Sequence, residues 1–306
     1  MNSLVSLIVL VKNDESYINE CLSSILKQTY ENIEILIMNS NSKDNSMKIC
    51  EYYKKKDKRI HIYDVDKNDN PKNVGISKSK GKYITFVDGK DRISKDYVMY
   101  LCNHIDREDA DIVCVSAYEN KKYTRGSLNY NIYKDDEIIE NYLHMNLKSN
   151  YYGKLYKKSL FKDIEYPNNY FDDSNTTYKL YDKAKKVVSS DINMYCIVAS
   201  KNYRYKLKDS EKMKKLDYCF DLLKYIEKEY PELVNFCKTK ICYEAIDLFR
   251  NVDNKKYKKQ LYNYIKIYRK YALRDDRFKL NKKILCIRSI LGYNFMRLSF
   301  FLEDKI

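Results

Sequence analysis

A chain of 306 residues, 44% hydrophobic and 33% charged, is long enough for one large core domain plus a smaller second unit, and it is not a disordered polymer. Six glycines and three prolines exclude a collagen-like repeat, long flexible linkers and a glycine-rich phosphate loop. The formal charge of +15 asks for an explanation, but Lys and Arg are spread over the whole chain without a nucleic-acid motif or an Arg-rich run interleaved with aromatics, so nucleic acid is not the expected partner.

An anionic lipid surface, a phosphorylated acceptor, or merely a solvated lysine-rich exterior each account for that charge. Trp is absent while Tyr reaches 33, a bias that fits an AT-rich genome better than a binding device. The nine cysteines are scattered without C-x-x-C or zinc spacing. Cys21, Cys50 and Cys114 fall in apolar patterns, as buried thiols do in a reducing cytoplasm. The opening MNSLVSLIVLV has no basic leader and reads as a buried strand rather than a signal peptide. No run of about twenty apolar residues occurs, so a spanning helix is not expected.

In chain order, Leu4 to Val11 reads as a strand buried on both faces. Asp14 can cap a following helix with Ile18, Cys21, Leu22, Ile25 and Leu26 on one side. Ile33 to Met38 is a second strand, and Asp44 can cap a helix with Met47, Cys50 and Tyr53 inside. Ile60 to Val65 is a third strand, Val74 to Lys78 a short helix, and Tyr83 to Val87 a fourth strand. A helix through Tyr97, Val98, Leu101 and Ile105 leads to a fifth strand at Ile112 to Val115. This alternation predicts an α/β fold, with ligands bound beyond the carboxyl ends of the strands.

From about 117 to 205 the pattern is mixed, with a helix near Asp135 to Asn146. Beyond about 210 it is helical: a stretch through Leu216 and Ile226 to a break at Pro231, then Val234 to Phe249, Tyr257 to Tyr271 and Ile284 to Phe301. The last segment is basic and apolar at once. It suits either packing on the protein's own core or an amphipathic helix on a membrane surface.

Three stretches, SLIVLVKNDESYINECLSSILKQTYENIEILI, DNSMKICEYYKKKDKRI and KNVGISKSKGKYITFVDGKD, together resemble family 2 glycosyltransferases of the GT-A fold. The resemblance runs from Val5 to about Ala199. It implies a Rossmann-like, mainly parallel mixed sheet flanked by helices. A donor-binding half would span residues 1–116 and an acceptor half 117–205, with a C-terminal helical region at 206–306. It implies transfer of a sugar, with inversion, from a nucleotide-diphosphate sugar, a UDP-sugar first, to a cell-surface polysaccharide, lipid-linked or protein acceptor. The setting implied is cytoplasmic, with peripheral contact at the inner face of the membrane. The competing reading is a catalytically inactive relative that binds a partner or a glycan.

The resemblance assigns donor binding to Val11, Asn13, Asn39, Ser40, Ser42, Lys72, Asn73, Asp88 and Lys90. Several depart from the family pattern. Val9 to Asn13 lacks the usual Pro and Tyr. Asn39-Ser40-Asn41-Ser42-Lys43-Asp44 stands where Asp-Asp-Gly-Ser-x-Asp is expected, and an amide at 39 can still accept and donate. The remaining Asp44 is read first as a helix cap. Lys72 replaces an arginine, keeping charge without its bidentate fork.

Asp88-Gly89-Lys90-Asp91 stands at the Asp-x-Asp position that holds a divalent cation, Mn or Mg, with Asp88 and Asp91 as the available metal ligands. Lys90 removes one carboxylate and opposes a cation there by like charge, and it can itself face a departing diphosphate. Tyr152-Gly153-Lys154-Leu155-Tyr156 resembles the family's Trp-Gly-Lys-Leu-Tyr segment. The Asp172-Asp173 pair follows where the family has Glu-Asp, which makes Asp173, with Asp172 beside it, the implied general base. Of the family's Tyr-x-Tyr-Arg segment only Tyr195 is kept in the stretch Tyr195 to Tyr203.

Overall fold

The computed structural model describes residues 3–119, 126–144, 146–168, 172–198, 208–276 and 280–303. They form two compact units, one of residues 1–142 and 147–203, the other of residues 143–146 and 204–306.

The first unit opens with β1 (Val5–Val11), whose run VSLIVLV is buried almost throughout. Helix α1 (Ile18–Leu26) turns Ile18, Cys21, Leu22 and Ile25 inward, on the expected 3.6-residue period. Its cap differs from expectation. The Asp14 backbone carbonyl accepts from Tyr17 and Ile18 N–H, while its carboxylate turns back to Lys12 N–H at 3.0 Å. Next come β2 (Ile33–Asn39), α2 (Ser46–Lys56), β3 (Ile60–Asp64), α3 (Pro71–Lys78), β4 (Tyr83–Asp88), a short β5 (Arg92–Ile93), α4 (Tyr97–Arg107) and β6 (Ile112–Glu119). The unit continues with β7 (Tyr130–Lys134), α5 (Asp136–Leu143), β8 (Lys154–Lys157), α6 (Asp172–Lys183) and β9 (Lys186–Ile197).

Among the described residues nine strands make one mixed sheet in the order β3-β2-β1-β4-β8-β6-β9-β5, with β7 on β9. β1 pairs parallel with β2 and β4, and β2 with β3, so the carboxyl ends of these four strands share one edge. The expected fifth strand does not extend this parallel block. β8 inserts antiparallel between β4 and β6, because the chain returns through residues 154–157 to fill the place beside β4. Leu7, Val9, Ile35, Ile37 and Val87 belong to one buried core cluster.

The second unit is helical: α7 (Asp209–Glu229), α8 (Val234–Asn251), α9 (Lys255–Arg274), α10 (Leu280–Arg288) and α11 (Tyr293–Glu303). The predicted continuous helix from Ile284 to Phe301 is instead two. The Ser289 hydroxyl donates to the Cys286 carbonyl at 2.6 Å, and Gly292 has φ +104, which an L side chain rarely adopts. Among the described residues no helix is long and apolar enough to cross a membrane.

Candidate active site at the carboxyl edge of the sheet

The loops after β1 and β2 clasp each other. Ser40 N–H donates to the Val11 carbonyl at 2.9 Å. Asn13 takes a left-handed backbone (φ 55), which asparagine tolerates. Its N–H donates to Ser42 Oγ at 3.1 Å and its side-chain oxygen accepts from Lys43 N–H at 2.7 Å. Asn39 bridges strands: its Oδ1 accepts from Ser42 N–H at 3.0 Å, and its Nδ2 donates to Asp64 Oδ1 at 2.7 Å, on its register partner in β3. Asp44 does tie down the start of α2, accepting from Ser46 N–H at 3.0 Å, although Asn45 is the capping position; it also holds Glu15 N–H at 3.0 Å. The expected donor-binding residues Val11, Asn13, Asn39, Ser40 and Ser42 therefore form one hydrogen-bonded rim.

At the end of β4, Gly89 N–H donates to the Leu10 carbonyl at 2.8 Å. A Cβ there would lie 2.7 Å from Asp14 Oδ2 and 3.0 Å from the Leu10 oxygen, so only glycine lets the turn lie this close to β1. Asp88 Oδ1 accepts from the Tyr151 hydroxyl at 2.7 Å, and Asp88 N–H donates to the Tyr195 hydroxyl at 3.1 Å. Asp91 is 1% exposed and both its oxygens face inward: Oδ2 accepts from Tyr195 at 3.0 Å and Oδ1 from Val198 N–H at 3.0 Å. Burial, then the charge of Asp88, pushes the Asp91 carboxyl up to about 7.

The carboxylates of the expected metal pair are therefore largely engaged by the protein. Asp91 spends both oxygens on the protein, Asp88 spends one on Tyr151, and Lys90 takes the sequence position of a further carboxylate. Among the described residues no group of three or more His, Cys, Asp or Glu side chains is placed to hold a metal ion. The side chains present do not fit a divalent site of the usual two-carboxylate kind.

On α3, Asn70 caps the helix through Lys72 N–H at 2.9 Å. Asn73 is a clamp rather than part of the rim: its amide donates to the Tyr166 carbonyl at 2.8 Å and accepts Tyr166 N–H at 2.9 Å. Lys72 is 5% exposed. Its Nζ lies 3.2 Å from Asp173 Oδ1, 4.1 Å above the Tyr151 ring and 5.0 Å from the Tyr166 ring. A buried ammonium needs such company, here one carboxylate and two aromatic faces. Asp88, Tyr151, Lys72 and Asp173 thus form a continuous chain from the end of β4 to the start of α6. Asp172 begins α6; its side chain and residues 169–171 and 199–207 lie outside the described residues.

Sequence reasoning named Tyr152 and Tyr195 as motif residues but gave neither a role, and it did not single out Tyr151. Burial, with Asp88 adding to it, raises Tyr151 well above the ordinary phenol range, so it stays a donor to Asp88. Tyr195 links Asp88 to Asp91 and stacks on Tyr152 at 4.8 Å between ring centroids. Lys154, on β8, is 2% exposed and donates to the Asn150 carbonyl. Nothing local in the sequence pairs Tyr151 with a carboxylate 63 positions away.

A sequence profile described as Glycosyl transferase family 2 matches residues 6–168, more than half of the chain. The chain belongs to glycosyltransferase family 2. This glycosyltransferase is 32% identical over 213 residues to glycosyltransferase GlyG of Streptococcus pneumoniae serotype 4, covering 64% of this chain and 70% of GlyG. It is 30% identical over 206 residues to the poly(ribitol-phosphate) beta-glucosyltransferase of Bacillus spizizenii, covering 63% of this chain but only 30% of that relative. Among solved structures, residues 1–349 of Staphylococcus aureus TarS in complex with UDP-GlcNAc superpose with a TM-score of 0.70 at 17% identity, over 98% of this chain and 91% of that one. The mannosyltransferase PcManGT of Pyrobaculum calidifontis, in complex with GDP-Man and Mn2+, gives 0.60 at 12% identity, over 94% and 86%. At these identities the structural likeness establishes the GT-A fold.

Proposed function

We propose that this glycosyltransferase moves a hexose from a UDP-sugar to a growing envelope polysaccharide, lipid-linked or protein-bound glycan, with inversion, at the cytoplasmic face of the membrane. The first 116 residues hold the donor and residues 117–205 the acceptor. The observation that carries this reading is the ion pair of Lys72 with Asp173, continued through Tyr151 to Asp88. Those contacts link Asp173 to the end of β4, which supports a base working beside a donor bound there. A TarS neighbour that binds UDP-GlcNAc supports the donor class, and a relative named for poly(ribitol-phosphate) supports an envelope acceptor.

Asp173, with Asp172 next to it, takes the proton of an acceptor hydroxyl as its oxygen attacks the anomeric carbon. The bond from that carbon to the diphosphate breaks on the opposite face, and the nucleoside diphosphate leaves. Val11, Asn13, Asn39, Ser40 and Ser42 hold the nucleotide, and Asn73 keeps α3 in register beneath it. Lys72 orients Asp173, and Lys90 is the cation beside the departing diphosphate. A divalent cation has no part in this scheme, because the Asp91 oxygens are engaged inward.

Calorimetry with UDP-, GDP- and CDP-sugars, with and without Mn, tests the reading. Binding of a UDP-sugar without metal, together with product formed in a transfer assay, is expected. Silence across the panel refutes it and leaves a non-catalytic glycan- or partner-binding protein.

A further inference from the structure

The second unit carries an apolar surface that its own core does not cover. On α10 and the turn after it, Ile284, Ile287, Ile290 and Leu291 are 42–62% exposed. On α11, Phe295 and Leu298 are 45% and 55% exposed. Within each helix the exposed pair is spaced i, i+3, so it shares one face. The other faces are satisfied: Cys286, Met296 and Phe300 are buried in the core of this unit. Six large exposed hydrophobic side chains within fifteen residues are far more than scattered surface apolars.

The charge of the same segment says what covers it. Across α10 and α11, residues 280–303, the chain holds four cations, Lys282, Lys283, Arg288 and Arg297, against a single acidic residue, Glu303, at the very end. A protein-binding face concentrates aromatics and sheds lysine from its centre. An anionic bilayer instead takes apolar side chains below the headgroups while Lys and Arg rest their aliphatic stems there and hold their charges among the phosphates. Helices of 9 and 11 residues are far too short to cross, so they lie in the plane of the interface.

We propose that α10 and α11 form an in-plane docking surface for an anionic phospholipid bilayer. The surface belongs to the second unit, the donor site to the first, and the inference rests on the proposed function, to which it adds what holds the enzyme at its acceptor. Attraction to headgroup phosphates brings the segment in, and burial of the isoleucine, leucine and phenylalanine side chains retains it.

The test is co-sedimentation of the full chain, at physiological salt, with vesicles of phosphatidylglycerol and phosphatidylcholine and with vesicles of phosphatidylcholine alone. Binding to the first and little to the second is expected. Combined Ile287→Ser, Leu291→Ser and Phe295→Ser should weaken binding about tenfold or more, since each removes an apolar anchor. These side chains are exposed, so the variant keeps its fold, and unchanged UDP-sugar binding separates failure of this surface from failure of the donor cleft. The chain has no Trp, so Phe295→Trp supplies a single indole, excited selectively at the red edge where tyrosine does not absorb, whose emission should move to the blue on anionic vesicles. No sedimentation with anionic vesicles, undiminished binding by the triple variant, or a stable dimer that hides position 295 overturns the proposal.

Discussion

Lys154 gives a quantitative check on how the first unit is built. Its ammonium is buried on β8 with the Asn150 carbonyl as acceptor. Burial lowers its pKa from 10.5 to about 8, against the opposing attraction of Cys114 and Asp173. A lowered lysine pKa means that the folded state sheds the proton first. Its contribution to stability is fullest above the unfolded pKa and is lost as pH falls through the folded one. At about 1.4 kcal/mol per pH unit the whole depression corresponds to about 3 kcal/mol, of which about 2 kcal/mol develops between about pH 9.5 and about pH 8. Lys154→Met keeps an unbranched stem and removes the charge. In urea unfolding the variant should gain about 2 kcal/mol relative to the wild type on going from about pH 9.5 to about pH 7. Any pH-independent loss from abandoning Asn150 cancels in that comparison. A difference that stays constant within about 0.5 kcal/mol, or moves the other way, refutes the argument that this lysine is desolvated.

Four further outcomes are expected. Asp173→Asn should lower turnover by about 10²–10⁴-fold with donor affinity unchanged in calorimetry, and an equal loss of both would reassign Asp173 to a structural role. Gly89→Ala drives a Cβ against Asp14 and the Leu10 carbonyl; it should cost about 1–3 kcal/mol in thermal unfolding and weaken donor binding, whereas an unchanged Tm contradicts the close approach. Lys90→Ala should slow transfer about 10²–10³-fold without creating a response to added Mn, and unaltered turnover removes Lys90 from the diphosphate site. Asn39→Asp sets a second carboxylate against Asp64 Oδ1, where the amide now donates at 2.7 Å. It should cost about 1–3 kcal/mol near neutral pH, much of it regained near pH ~4 as one carboxyl protonates; a flat cost across that range rejects direct opposition of the two groups.

The parallel half of the fold was legible because β1, β2 and β4 bury both faces and so read as short, nearly continuous apolar runs. The central antiparallel strand was not. β8 is four residues long, too short for a period to show, and its place between β4 and β6 depends on a pairing that spans the sheet. The split of the last helix turned on a single conformational event at Gly292, which an apolar periodicity passes over. The tyrosines divide in two. Tyr97, Tyr142, Tyr156 and Tyr181 fill the core, as a composition-driven bias suggests, but Tyr151 and Tyr195 hold the carboxylates of the site in place. Only the three-dimensional partners distinguish the second group from the first.

The altered motifs look less like decay once their partners are known. Where the family pattern has a carboxylate at position 39, this chain has an amide, and the residue across from it in β3 is an aspartate. Two carboxylates in register at hydrogen-bonding distance would repel, whereas the amide donates to Asp64 and accepts from Ser42 at once. The negative charge at this corner sits on Asp64, one strand outward, where it is exposed. A similar exchange holds after β4, where Lys90 supplies positive charge and Asp91 has turned inward to Tyr195 and Val198. Erosion without function leaves polar groups unpaired, at a cost of about 1–3 kcal/mol for each buried one. Here Asn39, Asp88 and Asp91 all retain specific partners, which argues for a site rebuilt around a different charge arrangement.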